Sequence, residues 1–352
     1  MPYTTIDNPE LYFQTKLYTG NGSTQSITLD GDTDMQPDWV WLKSRSDAYS
    51  HILHDSVRGA TKELKSNGTN AEGTDSNGLT SFNSDGFSLG TGGSVNNNSS
   101  TYVAWNWKAG GSASSNSNGS ITSSVSVSTD AGFSIVTYTG SGSNATVGHG
   151  LGSVPQVVIV KDRTNNIGNT NWNVYHAGNT SAPATEVIAL NENSATSDSN
   201  IYWNDTAPTS SVFSLGTAGQ VNDSSDNYVA YCLAEKKGYS KFGSYTGNFS
   251  TDGTFVYCGF KPAFIMAKAS SRSEDWYVFD NQRIGYNPNN EQLYANSSTT
   301  EGTLDYIDIL SNGFKLRQAN YGLNGPSETY IYLAFAESPF VNSAGAVPTN
   351  AR

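Results

Sequence analysis

Trp39 and Trp41, and again Trp105 and Trp107, stand two residues apart, so on an extended strand each pair projects from one face. Flat indole faces of this kind either fill an apolar core or stack on sugars. Val157 with Ile159, and Phe264 with Met266, occupy the matching places in similar strings and favour the core. Trp172, Trp203, Trp276 and Tyr277 lie among Asn and Asp in loop-like sequence and are the better candidates for an exposed, ligand-contacting surface. His51 and His54 flank a strand position beside Asp55, but residues three apart on a strand face opposite ways and cannot converge on a metal. Asp30, Asp32 and Asp34 alternate as calcium ligands sometimes do. They lack the fixed positions and closing Glu of an EF-hand, so a solvated loop is expected and calcium is the alternative. Asp55 and Arg58 recur at the same spacing as Asp280 and Arg283, which suggests a structural loop staple or a contact to another subunit. Glycan hydrolysis would need two carboxylates across a cleft, and Glu72, Glu192 and Glu301 fall in polar loops while Glu274 and Asp275 are adjacent and point apart. With no Ser-His-Asp phrase, phosphate loop or zinc-spaced cluster either, the chain reads as a non-enzyme without a cofactor.

The elements that must position these residues are written three times. Tyr18-Thr19-Gly20 returns as Tyr138-Thr139-Gly140 and Tyr245-Thr246-Gly247. Each copy is followed by a run from Pro to Lys (Pro37 to Lys43, Pro155 to Lys161, Pro262 to Lys268) and closes on a Tyr-led string beginning at Tyr102, Tyr228 or Tyr330. A repeat of about 100 residues has the size of a domain rather than of a solenoid unit. Alternating apolar runs punctuated by Asn-Gly, Asp-Gly and Gly-Gly predict strands, and no window carries capped helical periodicity. The expected fold is all-β, with three tandem antiparallel β-sandwich, jelly-roll-like modules.

Residues 1–12 read as a lead-in, 13–108 as module one, 133–237 as module two, 238–341 as module three and 342–352 as a patternless tail, expected to fray or dock on a neighbour. The Gly- and Ser-rich stretch 109–132 reads as a flexible linker that lets module one sit apart, whereas modules two and three abut as a rigid pair.

The net charge of −12 would repel a phosphate backbone, which argues against nucleic acid. Cys232 and Cys258 fall at unrelated places in their modules and are expected to be two separate buried thiols. No apolar run is long enough for a membrane span, and the first residues lack the basic and apolar regions of a signal peptide. An extracellular-type composition without an export signal fits a virion protein, made in the host cytoplasm and exposed by assembly and lysis.

The strings Gln36 to Lys43, His54 to Ala60, Asp85 to Gly90 and Tyr102 to Lys108 resemble a repeat domain of unknown function found in marine bacteriophage structural and tail proteins, similar to concanavalin-like lectin sandwiches. The resemblance implies a virion protein and brings no catalytic residues. It leads to the expectation of a tail-associated adhesive component contacting host-surface glycan, with capsid decoration as the alternative and a sandwich glycosidase behind both. Other virion proteins are the expected partners. A homo-oligomer is expected, with a trimer ahead of a monomer whose modules supply an internal three-fold.

Overall fold

The computed structural model describes residues 3–283, 287 and 289–344. The chain is all-β, built of antiparallel sheets, with helices of no more than a single turn. In the first repeat the opening strand Phe13–Thr19 pairs along its whole length with the closing strand Thr101–Trp107, which pairs on its other side with the inner strand Trp39–Ser44. Ile52–Asp55 and Lys62–Lys65 follow in the sheet. Phe133–Thr139, Asn227–Leu233, Val157–Asp162, Trp172–His176 and Glu186–Ala189 pair in the same order, as do Ser240–Thr246, Thr329–Pro339, Phe260–Ala269, Tyr277–Asp280 and Asn289–Tyr294.

Each large sheet is apolar on both faces. In the first, Val40, Leu42 and Ala104 pack against a small sheet formed by Gln25–Ile27, Gly86–Leu89 and Leu79–Asn83, closing a local core with Phe87 and Leu89. The other face turns Trp39, Trp41, Trp105 and Trp107 into a fourth core, which also takes Phe133, Ile159 and Tyr231 from the second repeat and Phe264, Met266 and Phe335 from the third. The period of two along Trp39-Val40-Trp41-Leu42 thus sorts side chains between two interiors rather than between interior and water. Rings interlock at the centre: Trp39 lies 4.3 Å from Tyr231 and 4.6 Å from Trp107, and Trp107 lies 5.4 Å from Phe264.

This shared interior overturns the expected independence of module one. It also corrects the linker. Ser114–Asn116 and Ser123–Ser128 add two strands to the free edge of Phe133–Thr139, with Val125 buried, and the Asp38 carboxylate accepts from the backbone of Ala109 at 2.9 Å and Gly111 at 3.2 Å. The alternation Ser124-Val125-Ser126-Val127 is a strand pattern that the Gly- and Ser-rich surroundings obscured. The lead-in is also docked, since Ile6 is buried in the shared core. Ser343 at the start of the tail bonds Asp7, and residues 345–352 lie outside the described set.

The thrice-written phrases have local causes. The Tyr of each Tyr-Thr-Gly stacks on the Tyr that begins the closing strand, with centroids at 5.0, 5.1 and 5.0 Å. Both hydroxyls donate to carbonyls of a single-turn helix: Tyr18 to Val95 and Tyr102 to Gly93 in the first repeat. The phrase needs its glycine because a Cβ on Gly20, Gly140 or Gly247 would stand 2.2, 2.1 or 2.2 Å from a backbone oxygen. Gly140→Ala is therefore expected to cost about 1–3 kcal/mol in denaturant titration, as overpacking does. The Lys next to the end of each inner strand is buried and caps carbonyls. Lys43 donates to Ser44, Asp47 and Ser298, Lys161 to Thr170 and Thr69, and Lys268 to Ala269 and Arg272. Burial lowers each ammonium to about 8, so at neutral pH they remain charged donors.

Candidate functional site

The residues expected to form an exposed aromatic surface are interior. Trp172 and Trp276 are each 0 % exposed, and each donates its indole N–H across a repeat boundary, Trp172 to the Lys65 carbonyl at 2.8 Å and Trp276 to that of Ala189 at 2.9 Å. Trp203 donates to the Glu186 carbonyl inside the second repeat's own core. Tyr277 packs against Tyr294 and Tyr306 in the third repeat's core. Asn neighbours made these positions read as loops, but in these strands Asn173 and its like are buried and hydrogen-bonded.

The Asp and Arg pairs are the heart of the contacts between repeats. Asp55 and Arg58, with both side chains fully buried, meet at 2.5 Å. The Tyr231 hydroxyl of the second repeat donates to the same Asp55 oxygen at 2.7 Å, while Arg58 also reaches Glu72, which pairs at 2.8 Å with Arg163 of the second repeat. The third repeat meets the first in the same way. Asp280 accepts from Arg283 at 2.7 Å and from the Trp105 indole at 2.9 Å, and Glu301 bridges Arg283 to Arg45. The remaining boundary, between the second and third repeats, carries His176 instead, its Nε2 3.2 Å from the Tyr332 carbonyl. All three boundaries keep one backbone bond: Glu72 to Arg163 (2.9 Å), Glu301 to Arg45 (3.0 Å) and Thr196 to Ser270 (2.9 Å).

Burial holds His54 and His176 near neutrality, each lowered to about 4, with Arg58 adding to the effect at His54. An unfolded histidine titrates near ~6.5, so the unfolded chain takes up protons first as the pH falls. Stability is thus expected to be full above that pH and to fall between about pH 6.5 and 4, by on the order of 3 kcal/mol for each histidine. Thermal melting across that range measures it.

Among the described residues no group of three or more His, Cys, Asp or Glu is placed to hold a metal, and Asp30, Asp32 and Asp34 do not gather into one; Asp30 pairs with Lys16. Cys232 and Cys258 are free and buried, and burial pushes both thiols up.

What remains for contact with other molecules is the outer surface, and there the repeats differ. Of the exposed large aromatics among the described residues, Phe249, Phe255, Tyr257 and Tyr321 belong to the third repeat and only Tyr49 to another. Phe255 holds the register position of Ser26 and Thr146, each paired with the residue before the final Leu of its Phe-led strand. In the third repeat the large sheet also runs on through Gly302–Leu310 and Gly313–Leu316 to Phe255–Tyr257. A cleft of about 670 Å³ on this side is lined by Thr251, Asp252, Asn287, Asp305, Asp308 and Arg317. Two of its three carboxylates are ion-paired, Asp308 with Arg317 at 2.9 Å and Asp252 with Lys315, whose hydrogen bond holds the Asp252 carboxyl below its usual range. A glycosidase acid needs the opposite shift.

One family description, Domain of unknown function (DUF7483), matches residues 8–339. The chain belongs to this family. The match runs through all three repeats and, Ile6 apart, the whole of the shared core, so it covers the body rather than one repeat. No curated protein matches the chain. Among the described residues of this DUF7483 protein, no helix is long and apolar enough to cross a membrane.

Proposed function

We propose that this DUF7483 chain is a structural protein on the surface of a bacteriophage particle, a tail-associated adhesive component that contacts host-surface glycan. The observation that carries the reading is the asymmetry among the repeats. All three build the same sheet and share one interior, but among the described residues only the third sets exposed aromatics where the other two hold small residues, Ser26 and Thr146 or glycine, and a purely architectural triple repeat has no use for that difference. The particle itself is supported by the phage-protein resemblance of the first-repeat strings. No catalysis and no cofactor belong to this reading, and neither nucleic acid nor membrane insertion does.

Capsid decoration is the second reading. It is favoured by three units of one strand order around a common core, which present three similar outward faces to a symmetric lattice site. The same internal three-fold satisfies contacts that a homotrimer would otherwise make, so the isolated chain is expected to scatter light as a monomer; a stable trimer would restore the oligomer expected from sequence. Immunogold labelling of purified particles separates the two main readings. Label on the tail is the expected result, label on the head shell turns the reading to decoration, and absence from particles removes both.

A further inference from the structure

Two glycine positions set the third repeat apart. The loop after each Tyr-Thr-Gly phrase passes through left-handed backbone, at Gly22 (φ 67°), Gly142 (φ 70°) and, in the third repeat, Phe249 (φ 53°). The single-turn helices that face these loops begin with Gly93, Gly219 and Tyr321. Left-handed backbone costs a residue with a Cβ about 1 kcal/mol or more, so Phe249 is kept against its local preference. The two substituted positions meet in space. The Phe249 and Tyr321 rings lie 5.1 Å apart at 42°, yet remain 41 % and 44 % exposed.

The frame beneath them is the rigid one common to all repeats. Asn324 accepts from the Asn248 N–H at 2.9 Å and donates to the Ser250 carbonyl at 2.8 Å, just as Asn222 holds Ser141 and Ser143 in the second repeat. The rings are therefore preorganised and need little ordering on binding.

We propose that Phe249 and Tyr321 form a stacking subsite for a neutral saccharide ring; this rests on the adhesive reading above and names its ligand class and its residues. The pair by itself is sized for a sugar ring rather than for a protein interface. Rings of this kind bury about 150–250 Å² when fully covered, so the exposed parts together offer roughly 150–200 Å², far below the ~800 Å² per side of a stable protein interface. The negative faces of aromatic rings suit the C–H face of a pyranose. Charge selects among sugars. Arg272 lies over Tyr321 at 4.2 Å, but its guanidinium is paired with Glu274 at 3.3 Å and Glu328 at 3.5 Å, which leaves an excess of carboxylate beside the rings on a chain of net charge −12. An acidic sugar would be repelled. A neutral one finds a hydroxyl partner in the Glu328 carboxylate, whose side chain stays 25 % exposed beside Arg272.

The other repeats supply the control. The double variant F249G/Y321G restores the residues that repeats one and two carry at these positions, so it should melt as the parent does. The full chain and its variants are applied to an array of neutral glycans (laminarin, cellohexaose, yeast mannan) and acidic ones (alginate, polysialic acid). The expected result is binding to a neutral glycan that weakens at least ten-fold in F249G/Y321G, survives in Phe249→Trp and is unchanged in Phe255→Ser. If the double variant loses its cooperative melt, Tyr321→Gly alone is judged by the same ten-fold criterion. Equal binding by parent and double variant overturns the subsite and leaves the adhesive reading standing, and binding only to acidic glycans overturns it as well. No binding to any glycan overturns the subsite together with glycan contact, while residence on the particle is judged separately by the labelling.

Discussion

Replacing Trp107 with alanine is expected to lower the unfolding free energy by about 3–5 kcal/mol, the usual cost of removing a buried Trp, and to do so for all three repeats at once. The indole is 2 % exposed and touches Phe13 and Trp39 of its own repeat and Phe264 and Phe335 of the third. Trp39 passes the contact on to Phe133 and Tyr231 of the second. A cavity here opens where the three large sheets meet, so no repeat can keep its inner face packed by itself. Chains of this length commonly unfold through intermediates, domain by domain. Here denaturant titration followed by hydrogen exchange should show one transition, shifted as a whole by the substitution. Early exchange confined to the first repeat would show that the repeats are separately stable.

Asp55→Ala is expected to cost about 3–5 kcal/mol, because it takes from a buried guanidinium its nearest counter-charge and leaves only Glu72 at 3.1 Å. Arg58 has no exposed side-chain surface, and the lost carboxylate is also the acceptor for Tyr231 from the second repeat. Asp280→Ala should behave alike, since Arg283 is equally enclosed and Trp105 loses its acceptor. Removing both members, as Asp55→Ala with Arg58→Met, should recover part of the loss. The sequence spacing alone suggests a loop staple or a contact to another subunit, and for an exposed pair the cost would be about 1 kcal/mol or less. A loss of that small size in denaturant titration would refute the buried network.

The strands, their closing phrases and the antiparallel class were legible because alternation and turn residues act locally. The common interior was not read, although Trp39-Val40-Trp41-Leu42 and Val157-Val158-Ile159-Val160 are apolar at every position, which is how a strand buried on both faces is written. Trp172 and Trp276 were misplaced because a polar neighbour on a strand looks like a loop residue unless its buried partner is known. Phe249 and Tyr321 were legible by alignment of the repeats. An aromatic residue where two sister copies hold glycine is a break in an internal pattern, visible without any structure. The Asp and Arg spacing is plain in the sequence, but its partners lie 176 and 175 residues away, where local reading does not reach: Tyr231 for one pair and Trp105 for the other.

The most direct test of the functional account is thiol labelling of intact particles. The two native cysteines are buried, so a single exposed cysteine reports its own surroundings. Phe255→Cys places the probe on the third repeat and Tyr49→Cys on the first, at positions 43 % and 36 % exposed in the free chain. If the third repeat carries the contact surface, Phe255→Cys should react with maleimide on the particle as fast as on the isolated chain, with Tyr49→Cys slowed by attachment through the rest of the body. Protection of Phe255→Cys beside a freely reacting Tyr49→Cys would contradict the account, because the aromatic surface would then face the particle and serve as its anchor.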